Sequence, residues 1–103
     1  MLFLNFFTET HQLIYKEKKK NLYDAISWFK QALVALKFPH DYSIKSIDDS
    51  ENWISLFDCI DYLKNIADTY KQIAEVEQNK QSTNYIDALE SALEHYKIAS
   101  ALI

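Results

Sequence analysis

A chain of 103 residues that is 49% hydrophobic and 25% charged is long enough for one core and too apolar to stay disordered. With no Gly and a single Pro it lacks the residues that tight turns and hairpins need, so sheets are disfavoured and an all-α fold of one domain, residues 1–103, is expected. All eleven basic residues are Lys, the net charge is −4, and without Arg the usual bidentate reader of phosphate and guanine is missing; no nucleic-acid role is expected.

The N-terminal run Met-Leu-Phe-Leu-Asn-Phe-Phe is apolar but short, with no preceding positive charge and no small-residue cleavage site, which argues against a signal peptide. The spacing predicts a first helix over about residues 2–20. Its expected buried face is Phe3, Phe6, Phe7, Thr10, Leu13 and Ile14. Lys16, Lys18, Lys19 and Lys20 crowd its end, where cations complement the helix dipole. Asn21 then has the chemistry of an N-cap, with Asp24 in the turn after it, and a second helix is expected over about 22–37. Ile26, Phe29, Leu33 and Leu36 form its stripe, widened by Ala25, Trp28 and Ala32. A junction this tight makes the first two helices an antiparallel hairpin. Pro39 disfavours helical geometry at Phe38 and ends the second helix.

Residues 39–50 are the longest segment without periodicity, and Tyr42, Ile44 and Ile47 are expected to fold back over the core. Asp48 and Glu51 have the spacing of a capping box. The third and longest helix, about 51–79, carries Trp53, Leu56, Phe57, Ile60, Leu63, Ala67, Tyr70, Ile73 and Ala74 at steps of three and four. Asp58, Asp61, Lys64, Asp68 and Lys71 mark its outer face. The polar run Asn79 to Thr83 reads as a break with capping residues or, having no Gly or Pro, as a weak helical continuation, and a fourth helix is expected over about 85–102. Its stripe reads Ile86, Leu89, Leu93, Tyr96 and Ala99, with Ala88 and Ala92 flattening one side. The fold expectation is therefore four helices as two antiparallel hairpins, arranged either as a bundle or as a short superhelical stack. No run reaches the length needed to span a bilayer.

Charge divides unevenly along the chain. Residues 1–40 hold six Lys against three acids, and residues 41–103 hold five Lys against twelve. The two halves also share a pattern. Asn21-Leu-Tyr-Asp-Ala-Ile matches Asn84-Tyr-Ile-Asp-Ala-Leu, and each is expected to open the second helix of a hairpin.

Ala25, Phe29 and Ala32, followed by Leu33, fall at small–aromatic–small spacing, as do Ala92, Tyr96 and Ala99. Over about a third of the chain this resembles the second helix of a tetratricopeptide repeat. The aromatic, leucine and glycine of that family's first helix are not in register here. The same pattern is similar to part of the three-helix microtubule-interacting-and-trafficking domain. Either resemblance implies binding of a peptide or protein in a groove, without catalysis.

His11, His40 and His95 sit on separate elements, and none has a second His or Cys three or four positions on, so no metal site is expected. Glu90, Glu94 and His95 lack the paired Glu-x-x-His of a di-iron bundle. The single thiol, Cys59, is flanked by Asp58 and Asp61, which oppose thiolate formation, and reads as a small buried hydrophobe. No catalytic residue, metal or cofactor is assigned. A lone cysteine fits a reducing compartment, and a cytoplasmic setting is expected.

Candidate partner-binding residues are Trp28, Tyr42, Trp53, Tyr62, Tyr70, Tyr96, Leu102 and Ile103: aromatics that join apolar area to a polar tip, and an apolar chain end. The plainer reading sets such aromatics at the margin of the core with their hydroxyls in water. The functional expectation is a small protein–protein interaction or adaptor protein, binding a partner or associating with itself. Two alternatives stand beside it: an acidic immunity or inhibitor protein that neutralises a basic partner, and a ligand-binding or enzymatic helical bundle.

Overall fold

The computed structural model describes the backbone of residues 2–38, 53–77 and 79–103, and the side chains of residues 13–38, 56–77 and 79–103. Among these residues the chain forms three α-helices, α1 (Leu2–Ala35), α2 (Trp53–Val76) and α3 (Thr83–Ala101). The all-α expectation holds, but the four-helix, two-hairpin arrangement does not. Asn21 lies inside α1, a single helix of 34 residues, where a hairpin turn was expected.

The reason is physical. Tyr15, Lys19, Leu22, Ile26, Phe29, Leu33 and Leu36 recur at alternating steps of four and three, and all seven are buried or half-buried. The stripe facing α2 therefore runs straight through Asn21. An N-cap contributes about 1 kcal/mol, less than the helical hydrogen bonds and packing that a break here would interrupt. Neither Gly nor Pro weakens the segment. Of the paired Asn-x-x-Asp-Ala patterns, only the second lies at a helix start. The face expected for a separate first helix is also not buried where it can be described: Leu13 is 67% and Ile14 61% exposed. Phe3, Phe6, Phe7 and Thr10 fall outside the described side chains, and Tyr42, Ile44, Ile47 and the Asp48–Glu51 box lie in residues that are not described.

α1 ends at Ala35 by a helix cap, two residues before the end expected from Pro39. The Phe38 N–H donates to the Leu33 carbonyl at 3.0 Å, and the Lys37 N–H to the Val34 carbonyl at 2.9 Å. This is a Schellman motif, with Lys37 in the left-handed region at φ 61°. Glycine usually occupies that position, and the chain has none. Phe38, 7% exposed, packs in the same core cluster as Leu33, which supplies the apolar contact that accompanies the motif.

α2 runs antiparallel to both neighbours. Against α1, Lys19 meets Glu77 while Phe29 meets Tyr62; against α3, Asp68 meets Tyr96 and Tyr70 meets His95. α1 and α3 each pack along α2 and scarcely touch one another. Leu63, Ile66, Ala67 and Ile73 of α2 have no exposed surface. At 1.5 Å per residue α1 is about 51 Å long and α2 about 36 Å. Since Lys19 already stands opposite the end of α2, the first turns of α1 run on past it.

α3 starts at an N-cap, Ser82, whose hydroxyl oxygen accepts from the Tyr85 N–H at 3.2 Å. The helix is turned away from its large-residue stripe. Ala88, Ala92, His95 and Ala99 are buried against α2, whereas Ile86, Leu89 and Leu93 are 45%, 40% and 54% exposed. Small side chains on both helices, Ala67 and Ala74 on α2 with Ala88, Ala92 and Ala99 on α3, permit close approach and select this face over the bulkier one.

The cap geometry makes a direct prediction. Lys37→Gly removes the strain of a Cβ at positive φ and should stabilise the fold by about 1 kcal/mol. Lys37→Val should destabilise it. Urea denaturation of the three proteins measures both, and equal midpoints would contradict the cap assignment.

Candidate functional site

α1 presents a second periodic stripe beside the one that faces α2. Lys16, Lys20, Tyr23, Ser27, Lys30 and Val34 recur at steps of four and three, and all six are exposed. Its last four members form one wall of a groove of about 450 Å³, with Ile26 at the base and Tyr70 of α2 opposite. The Lys30 ammonium lies 6.0 Å from the centre of the Tyr70 ring, within cation–π range. Tyr70 is backed from α3 by His95, with ring centroids 5.6 Å apart. The buried His95 is oriented by its own helix. Its Nδ1 lies 2.7 Å from the Ser91 carbonyl oxygen, and a carbonyl only accepts, so Nδ1 carries the proton and donates it. The groove thus has an apolar base at Ile26, with Lys30, Ser27 and Gln31 as the polar part of its lining.

The opposite character appears on α3. Ile86, Leu89 and Leu93 form an outward apolar stripe, bordered on its solvent side by exposed Asp87, Glu90 and Glu94. On its other side a depression of about 370 Å³ lies between α2 and the start of α3, where Lys71 and Lys80 face Glu75 and Glu77 among Ala74, Tyr85 and Leu89. Its mixed charges give it no preference of sign.

Two polar contacts lock the helices that carry these surfaces. Glu77, one residue past α2, accepts from the Lys19 ammonium, and its side chain is 9% exposed. Lys19 also lies 5.9 Å from the centre of the Tyr15 ring. The Lys19 hydrogen bond holds the Glu77 carboxyl below its ordinary range, with a further hydrogen bond from Tyr15 acting the same way; the same pairing raises Lys19. Across α2 and α3 the Tyr96 hydroxyl donates to Asp68. That carboxylate, with smaller help from burial, pushes the Tyr96 phenol up to about 12.

The sequence-derived candidates do not converge on one surface. Tyr70 alone lines the groove. Trp28 is 71% exposed on α1 and does not line it. Tyr62 is half-buried against Phe29, with ring centroids 6.2 Å apart, and Tyr96 is tied to Asp68. Leu102 packs against the core and caps α3, its N–H donating to the Ala99 carbonyl, while Ile103 is 91% exposed. Trp53 opens α2, its side chain outside the described set, and Tyr42 lies outside the described residues. Tyr23, Lys30 and Val34 were missed. Their signal is the second four–three repeat, Tyr23, Ser27, Lys30 and Val34, which lies within the expected 22–37 helix beside its apolar stripe; only its continuation to Lys20 and Lys16 needs α1 to be continuous.

Among the described residues no group of three or more His, Cys, Asp or Glu could hold a metal ion, and no catalytic constellation is assembled. Cys59 is 4% exposed, and burial first, then Asp58, raises its thiol, leaving it a poor nucleophile. No helix among the described residues is long and apolar enough to cross a membrane. No family model, curated protein or solved structure matches this chain.

The Tyr96 contact carries a pH signature. Its folded pKa lies above the ordinary value of 10.0, so the phenol stabilises the fold fully below pH 10 and loses that contribution as pH rises towards 12. Wild type should therefore be more stable than Tyr96→Phe at pH 8, with the gap closing across pH 10–12. A gap that persists unchanged at pH 12, in paired urea titrations, would refute the contact.

Proposed function

We propose that this chain is a non-catalytic helical interaction protein whose groove beside α1 takes an amphipathic helix of a protein partner. One observation carries the reading: the groove sets apolar Tyr23, Ile26, Val34 and Tyr70 beside Lys30, with Ser27 and Gln31 completing its lining, and the same exposed stripe of α1 continues through Lys20 to Lys16. An incoming helix buries apolar residues at three- and four-residue steps, and acidic side chains on its flank meet the lysines. The lone Cys59 thiol supports a reducing setting such as the cytoplasm.

The test uses a designed 20-residue peptide unrelated to this chain, with Leu at the seam positions and Glu on the flanks. Calorimetric titration into dilute protein should give binding on the order of micromolar Kd, weakening as salt rises. Val34→Asp places a carboxylate in the groove wall and should lower affinity by about tenfold or more. A matched peptide with Lys flanks should not bind. Absence of binding by the Glu peptide, or equal binding of both peptides, would overturn the reading.

A further inference from the structure

The chain carries both halves of such a contact. The groove asks for an amphipathic helix with an acidic border, and α3 presents one on its outward side. Ile86, Leu89 and Leu93 are exposed there because Ala88, Ala92, His95 and Ala99 occupy the seam with α2. Asp87, Glu90 and Glu94 border them. Within one molecule the two surfaces cannot meet. The stripe lies on the flank of α3 beside its packing seam, where Leu89 lines the α2–α3 depression, and α3 scarcely touches α1.

We infer that the occupant of the groove is α3 of a second copy of this chain, seated head-to-tail. The inference rests on the groove reading above and names its partner. Charge complementarity supports it at two scales. Locally, Lys16, Lys20 and Lys30 face outward on α1 while Asp87, Glu90 and Glu94 face outward on α3. Along the chain, residues 1–40 are net basic and residues 41–103 net acidic, so opposite ends of two copies attract. Dimensions agree as well. The run from Ile86 to Leu93 rises seven steps, about 11 Å of helix, and fits within the groove face from Tyr23 to Val34, eleven steps or about 17 Å. The two surfaces differ, so the contact is heterologous: each pair leaves one groove and one α3 stripe open, and further copies add at the ends.

Sedimentation velocity over a range of concentrations tests this, with paired charge reversal. The weight-average mass of the wild type should rise with concentration above the 12.1 kDa of one chain and fall back in high salt. The double substitution Glu90→Lys with Glu94→Lys, and separately Lys20→Glu with Lys30→Glu, should each weaken association by about tenfold or more. Mixing the two variants restores opposite charges at both surfaces and should recover association. Leu93→Asn, a change at an exposed position, should weaken association with unchanged charge. Circular dichroism melts confirm that every variant is folded. Association that ignores both reversals, or that the mixture fails to restore, overturns the inference. A monomer that still binds the designed Glu peptide overturns self-docking alone, whereas a monomer that binds no peptide removes the groove reading with it.

Discussion

The fold depends on α2 being covered from two sides. Leu63, Ile66 and Ile73 are sealed completely, and each fully buried aliphatic side chain of this kind contributes on the order of 1.5–3 kcal/mol. α1 supplies one cover with branched and aromatic residues, Ile26, Phe29 and Leu33. α3 supplies the other largely with alanines. Because the two covers use different packing chemistry, their outer faces differ too. α1 turns lysines and a shallow apolar groove outward, and α3 turns out the large aliphatics that its alanine seam leaves over.

That division explains how, among the described residues, ten large hydrophobic side chains stay exposed beside a closed core. Single exposed residues such as Phe57 need no special account. The ordered series Ile86, Leu89 and Leu93 does, because it follows helical spacing and is bordered by carboxylates on one edge only. The groove side of α1 follows the same logic with the opposite sign of charge. Neither surface interrupts the core, and the contacts that hold the helices, Lys19 with Glu77 and Tyr96 with Asp68, lie apart from the groove.

Much of the core could be read from spacing alone. Ile26, Leu33, Ile60, Leu63, Ala67, Ile73 and Ala74 were expected inside and are inside. Two features depart from their local signals, for separable reasons. Asn21 is a good capping residue, but a cap of about 1 kcal/mol yields to a stripe whose members Tyr15 and Lys19 are polar enough to look like a solvated helix end. On α3 the largest apolar residues look like the core face. Yet close helix approach depends on what can be tolerated at short separation, which favours Ala over Leu. Periodicity identifies that a helix has an apolar face. It does not say which of two adjacent faces will be used, and that choice decides what the surface offers. The groove is not legible in spacing because it depends on how Tyr70 of α2 stands against the Tyr23–Val34 face of α1, a tertiary placement that periodicity does not fix.

Cys59 sits near the middle of this arrangement, the only cysteine in the chain, within the cluster that contains Leu63 and Ile66. A thiol so enclosed reacts with solvent reagents only while the surrounding helices have separated. The protein thereby carries its own clock for native-state opening, in which the rate of alkylation at one atom reports how often the core breathes. Anything that clamps α1 to α2, including a molecule lodged along their shared edge, would slow that clock without touching the sulfur.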